Sequence, residues 1–281
     1  MRIAVISDQL SDDLEEAFQL GELLGVNAFE LRWLRPPGSL RLRRVSELSD
    51  EDAEGLAAAA KRHGASVSAI SAGLFRHRWD NRMEFAVHMQ SLQRALHVAR
   101  IFGAPHVIIH GFLLVGEHRN GVCPPGVVDA LGQAAELAAA DGAMLLIRNA
   151  PDCYTDSGAH TASIVHAVHS PALGVSWDPC HAVRAGEEDI CAGYEWLLPF
   201  VRDVCIKDQE QREGLGYEYT VMAEGTMDWP AQLRALIRDG FQGTATLGSQ
   251  VEPRLLNTMH SLDALHKLLR QVRSANAISS L

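Results

Sequence analysis

Side chains that can move protons or hold anions recur where short apolar runs give out. The run "HVIIHG" carries His110 and "LLIRNAP" carries Arg148 and Asn149. "LGVSWDPCH" carries Asp178 and, three residues on, His181, while "DVCIKD" carries Cys205 and Lys207. An earlier run, "AFELRWL", adds Glu30 and Arg32. Imidazole titrates near neutral pH and suits general acid–base work. Arginine and lysine hold anions and stabilise developing negative charge. Each residue alone has a plainer reading. A single histidine at a strand end is more often a hydrogen-bonded structural residue, and a single buried cysteine is usually a small filler. Convergence of all nine on one place would make a functional site the better reading.

That convergence depends on the elements carrying them. Apolar runs occur at "RIAVIS", "AFELRWL", "SVSAIS", "HVIIHG", "AMLLIRN", "LGVSWD", "DVCIKD" and "TATLG", separated by stretches with helical apolar spacing such as "DDLEEAFQLGELLG" and "WPAQLRALIRDG". Gly25, Gly64, Gly103, Gly142 and Gly240 stand where helices should stop before the next strand. Eight strands alternating with helices, without a break in composition, predict a single (β/α)8 TIM barrel over residues 1–281, with 272–281 as a tail that frays. A doubly wound open sheet is the other α/β option, but no GxGxxG or P-loop follows any run. Barrels place chemistry at the carboxyl ends of their strands. Period-two alternation puts Glu30, Arg32, His110, Arg148, Asp178, Cys205, Lys207 and Gly248 at the last inward positions, with His181 folding back over the same mouth.

Composition narrows the function. Apolar residues make up 47% of the 281 and charged residues 21%, enough for a large core under a soluble-type surface. A formal charge of −10 argues against a nucleic-acid or anionic-membrane partner, leaving a small-molecule ligand and, as an open point, a homo-oligomer. No run of about 18 apolar residues exists to span a bilayer, and the start "MRIAVISDQL" lacks the regions of a signal peptide. Five cysteines without CxxC spacing fit a reducing cytoplasm. There is no GxSxG nucleophile turn. Lys207 would form a Schiff base only if burial stripped its proton, and a lysine followed by an aspartate is more often charged.

With these residues in view, the chain resembles the xylose-isomerase-like barrels, the sugar-phosphate isomerases and epimerases. The likeness is carried by "DDLEEAFQLGELLGVNAFELR", "RALHVARIFGAPHVIIHG", "LGVSWDPCHAVRAGE", "VRDVCIKDQ" and "AEGTMDWPAQLRALIRDGFQGTATL", nearly the whole chain. It implies a divalent metal held by a glutamate on the fifth strand, an aspartate on the sixth, a histidine on the seventh and a glutamate on the eighth, the glutamates doubling as acid and base. Here the positions read Arg148, Asp178, Cys205 and Gly248, so only the aspartate matches. The family's histidine beside that aspartate is kept as His181 and its seventh-strand lysine as Lys207.

A hard divalent cation needs several oxygen ligands, and a guanidinium at its seat repels it. Arg148 is therefore expected to stand in for the metal charge, with Asp178 as its natural partner. The reading is a divergent isomerase, epimerase or lyase-like enzyme without a cofactor. In it Arg148 and Lys207 stabilise negative charge, His110 or His181 moves the proton, and Glu30, Arg32, Asn149 and Cys205 help bind substrate. Two alternatives stay open. One is a pseudoenzyme binding a ligand or partner subunit in the old pocket, with an Arg148–Asp178 pair plugging it. The other is a zinc-dependent member using His110, Asp178, His181 and Cys205. The apurinic endonucleases of the superfamily need a larger zinc-ligand set and a basic groove, which this chain lacks.

Overall fold

The computed structural model describes residues 1–115 and 123–279. Eight strands close into one parallel barrel: β1 (Arg2–Ile6), β2 (Ala28–Leu31), β3 (Ser66–Leu74), β4 (His106–Ile109), β5 (Met144–Arg148), β6 (Leu173–Trp177), β7 (Val201–Ile206) and β8 (Thr244–Leu247). Each pairs with its chain neighbours, and β8 closes on β1. Each of the eight apolar runs read from the sequence overlaps a barrel strand. Helices α1 (Leu14–Leu23), α2 (Asp50–Arg62), α3 (Arg82–Phe102), α4 (Pro125–Ala140) and α5 (Gly158–Val168) follow the first five strands in turn. Short α6 (Pro179–Arg184) and α7 (Ile190–Leu197) then follow β6, α8 (Trp229–Arg238) follows β7, and α9 (Arg254–Ser279) closes the chain. The stretch expected to fray is thus helical as far as Ser279.

Helix ends obey local chemistry. Asp13, Ser49, Asn81, Ser157, Asp178, Asp189 and Asp228 each accept a first-turn amide, satisfying donors that the helix cannot. At the other ends Gly103 adopts φ 67° and Gly240 φ 65°, left-handed values that a side chain would oppose.

The main core lies between strands and helices, where Trp177, Trp229, Phe18 and Phe29 are fully buried. A separate small cluster, Ala69, Ile108 and Leu146, fills the barrel's interior. Arg148 follows Leu146 at period two, so the inward layer above this apolar floor is charged. Register extends that layer sideways: Arg148 pairs with Ser176, Ser176 with Asp203, and Asp203 with Thr244.

After β7 the chain turns into an antiparallel hairpin, Asp208–Arg212 with Gly216–Thr220. Asp208 anchors it. Its carboxylate accepts from the amides of Gln209 at 2.8 Å, Ala223 at 2.9 Å, and Gly225 and Met227 at 3.3 Å. Burial raises its pKa, and those four amides pull the other way. The hairpin delivers Tyr219 to the barrel mouth.

Candidate active site

A cavity of about 640 Å³ opens at the carboxyl ends of the strands, lined among others by His110, Arg148, His181, Cys205 and Lys207. The strand-end residues His110, Arg148, Cys205 and Lys207 thus meet His181, which the Asp178 turn folds back. Asp178 itself sits just behind, fully buried.

Arg148 is held from below, and not by the partner expected. Its Nη1 and Nη2 donate to the two oxygens of fully buried Glu30 at 2.9 and 2.7 Å, Nη2 also reaches Asp203 at 3.2 Å, and Nε donates to Ser176 at 3.0 Å. Burial alone would lower the guanidinium pKa, but Glu30 together with Asp203 more than offsets it, and the pKa stands well above the ordinary value. Asp203 is itself crowded with donors: Ser176 at 2.5 Å, Thr246 at 2.6 Å and Thr244 at 2.7 Å. The expected Arg148–Asp178 pair is therefore corrected to Arg148–Glu30–Asp203. The physical reason is direction. Arg148 ends its strand pointing into the barrel, whereas Asp178 lies beyond the end of β6 and caps α6. Glu30, expected to bind substrate, does not line the cavity; it holds Arg148.

Asp178 pairs with Lys207 instead, Oδ2 to Nζ at 2.7 Å, a close ion pair without hydrogen-bond alignment. Burial opposes its charge, but His181 and Lys207 prevail and hold the pKa down at about 2. Lys207, although equally buried, stays protonated, its pKa raised by Asp178 against the cost of desolvation. A charged amine is no Schiff-base nucleophile. Asn149 brackets this aspartate, its Oδ1 accepting from the Asp178 amide at 2.7 Å and its Nδ2 donating to the Asp178 carbonyl at 2.9 Å. Asn149 is fully buried and acts as a scaffold behind the cavity wall.

The two histidines are set differently. His181 Nδ1 lies 2.8 Å from the Asn149 carbonyl and 3.2 Å from Asp178 Oδ2, both acceptors, so that nitrogen carries the proton. Its Nε2 then accepts from Lys207 at 3.1 Å, with the Tyr219 hydroxyl 3.4 Å away. Burial keeps it neutral, with a pKa of about 4. His110 Nδ1 donates to the Arg148 carbonyl at 3.2 Å, which leaves Nε2 as an unshared lone pair. Its pKa falls to about 3, first through burial and then through Arg76, Arg148 and His181. Cys205 is a neutral thiol whose pKa burial pushes up to about 12. Arg32 lines the cavity with its fork closed on Asp8, at 2.9 and 3.0 Å.

Among the wall residues that escaped the sequence reading are Arg44, Arg76, Arg184 and Tyr219. Arg44 comes from a short two-stranded ribbon with Trp33–Leu34, Arg76 from the loop after β3, Arg184 from the end of α6 and Tyr219 from the hairpin, where no barrel-strand periodicity points at the mouth. Asp203, by contrast, alternates with Cys205 and Lys207 and was readable one step deeper in the same strand.

The family's divalent metal does not fit these residues. Three of its four expected ligand positions hold a guanidinium, a neutral thiol and a glycine, and the remaining carboxylate is engaged by Lys207. A Cβ at Gly248 would lie 2.5 Å from Ile6 Cδ1, so an eighth-strand glutamate requires the Ile6 side chain to move. Among the described residues no group of three or more His, Cys, Asp and Glu side chains is placed to hold a metal ion. Nor is any helix long and apolar enough to cross a membrane.

The barrel matches known structures along almost its full length. L-ribulose 3-epimerase superposes with a TM-score of 0.77 at 17% identity, covering 100% of this chain and 98% of that one. A D-tagatose 3-epimerase-like protein gives 0.77 at 18%, covering 98% and 99%. The 3-keto-D-glucoside 4-epimerase of E. coli gives 0.72 at 15%, covering 95% and 99%. At these identities the likeness establishes the fold. No curated protein sequence matches significantly. The family model described as xylose isomerase-like TIM barrel matches residues 18–271, and with it the chain belongs to that family.

Proposed function

We propose that the protein is an isomerase- or epimerase-like enzyme, or a lyase, that moves a proton beside the carbonyl of a small sugar-like compound without the family's divalent metal. The observation that carries this reading is His110. It is fixed through Nδ1, neutral, and presents a free Nε2 to a cavity whose charged groups are all cations. A base with a pKa of about 3 is weak as it stands. Part of that depression comes from neighbouring positive charge, which a bound anion offsets, so the base strengthens when an anionic substrate arrives. His181 is a poorer candidate, because its Nε2 already accepts from Lys207. Arg148 retains one free N–H, on Nη1, and with Lys207 supplies positive potential where an enolate oxygen would form. The epimerases that share the fold act on sugars, which supports this substrate class.

The test is hydrogen exchange in heavy water. A panel of ketoses, aldoses and keto acids, with and without phosphate, is incubated with the protein, and deuterium at carbon is followed by NMR. Exchange that survives chelation and is lost in His110→Asn supports the proposal. Exchange that requires added manganese or magnesium overturns its metal-free part. A second reading is a binding protein without turnover. It is favoured by the full engagement of Lys207, whose Nζ already faces Asp178, His181 and Tyr219.

A further inference from the structure

The cavity wall contains six permanent cations, Arg32, Arg44, Arg76, Arg148, Arg184 and Lys207, and no aspartate or glutamate. This is a concentrated positive surface on a chain of net charge −10. Four of the six have an acid behind them: Asp8 for Arg32, Asp152 for Arg76, Glu30 and Asp203 for Arg148, and Asp178 for Lys207. Arg44 and Arg184 have none among the described residues. Arg44 donates to the Ala72 carbonyl at 3.0 Å and lies 4.5 Å over the Trp33 ring. Arg184 donates from Nε to Gln209 at 2.7 Å and stacks 4.1 Å from Tyr219, while its buried Nη2 finds no acceptor. Buried donors are almost always satisfied, so one left over at a cavity wall marks a missing partner.

The positions of these two arginines say more. Arg44 follows β2 and is tied to β3, whereas Arg184 ends the helix after β6 and packs on the hairpin after β7. In a closed ring of eight, β2 and β6 are four strands apart, as are β3 and β7, so the uncompensated cations face each other across the mouth. His110 on β4, with Arg148 on β5, lies between them.

We infer that the substrate is a two-headed anion, a short carbon chain with a carboxylate or phosphate at each end, one held at Arg44 and the other at Arg184, with its carbonyl carbon beneath His110. The word substrate rests on the proton-transfer reading; the binding does not. A guanidinium holds either oxyanion in a two-pronged contact. The charged ends fix which carbon faces the imidazole.

Calorimetry tests this with glutarate, 3-phosphoglycerate, butyrate and xylose as probes, on the full chain and on R44M, R184M and R184K. At least one two-headed anion should bind about tenfold or more tighter than butyrate and xylose. R44M and R184M should each reduce that affinity to the butyrate level, and R184K should keep part of it. Preference for 3-phosphoglycerate assigns one end to phosphate, and preference for glutarate assigns both to carboxylate; either supports the inference. Melting temperatures check that the variants fold, and R44M, outside the barrel strands, carries the test if R184M does not. Xylose binding as tightly as the anions, no detectable binding of either two-headed probe, or full affinity in both R44M and R184M overturns it. Two-headed binding without any deuterium exchange keeps this inference and removes the catalytic one. Exchange confined to neutral sugars does the reverse.

Discussion

Arg148 holds both oxygens of Glu30, at 2.9 and 2.7 Å, across the inside of the barrel and across 118 residues of chain. The guanidinium that replaces a metal ligand is thus bound chiefly to its own protein, and only what remains of its field acts on a ligand.

Removing Arg148 should accordingly cost stability before anything else. Arg148→Met strands two buried carboxylates, Glu30 and Asp203, and should destabilise by about 3–5 kcal/mol in urea denaturation. Pairing it with Glu30→Met should recover most of the loss, because Asp203 keeps its three hydroxyl donors. Pairing it with Asp178→Asn should recover none. Recovery with the latter and not the former would contradict the ion pair described here.

Acid should unfold the protein from an unusually high pH. Burial lowers the folded pKa of His110 to about 3 and of His181 and His77 to about 4, against 6.5 ordinarily. Below pH 6.5 the unfolded chain therefore binds protons that the folded chain refuses, and stability falls with pH through that window. Asp178 has the usual carboxylate sign. Its contribution is full above the unfolded value near 4 and is lost as pH falls toward its folded value of about 2. Urea midpoints at pH 7, 5.5 and 4.5 should decline steadily; a flat series would refute the assignment of three neutral histidines.

His77 offers a stabilising substitution. Both its ring nitrogens are buried without a partner, while Phe112 lies 5.2 Å away, His88 4.2 Å and Phe75 6.2 Å, centroid to centroid. His77→Phe exchanges two unsatisfied polar atoms for apolar contact and should gain about 1–2 kcal/mol. It should also flatten the acid limb. A loss of stability would mean that the imidazole has a role that its surroundings do not reveal.

Restoring the family's ligands should fail for a steric reason. Arg148→Glu, Cys205→His and Gly248→Glu together leave Ile6 in the space of the new glutamate and free Glu30 as one more buried acid. Titration should show no manganese binding until Ile6→Ala and Glu30→Gln are added. Binding by the triple variant alone would show that the pocket yields more easily than Ile6 implies.

The barrel was legible because its signals are local. Eight apolar runs and five closing glycines need no knowledge of distant neighbours, and inward alternation named His110, Arg148, Cys205 and Lys207. Partner choice was not legible, since Glu30 and Asp178 are equally plausible acids until strand order and the direction of Asp178 at its helix cap are known. Arg44, Arg184 and Tyr219 were hidden for a related reason: a two-residue ribbon, a six-residue helix and a hairpin carry too short a period for facing to be read. The charged layer beneath the mouth needed one more step, counting Asp203 inward from Lys207 as well as Cys205.

The Glu30–Arg148–Asp203 link also bears on how the chain is made. Synthesis delivers β1 to β4 first, and with them Glu30, a carboxylate bound for a dry interior. Its cation lies 118 residues downstream. The later half is self-sufficient, since Arg148 and Asp203 arrive together. An early half-barrel emerging from the ribosome is therefore the electrostatically unfinished one, and it has reason to stay open until the fifth strand appears.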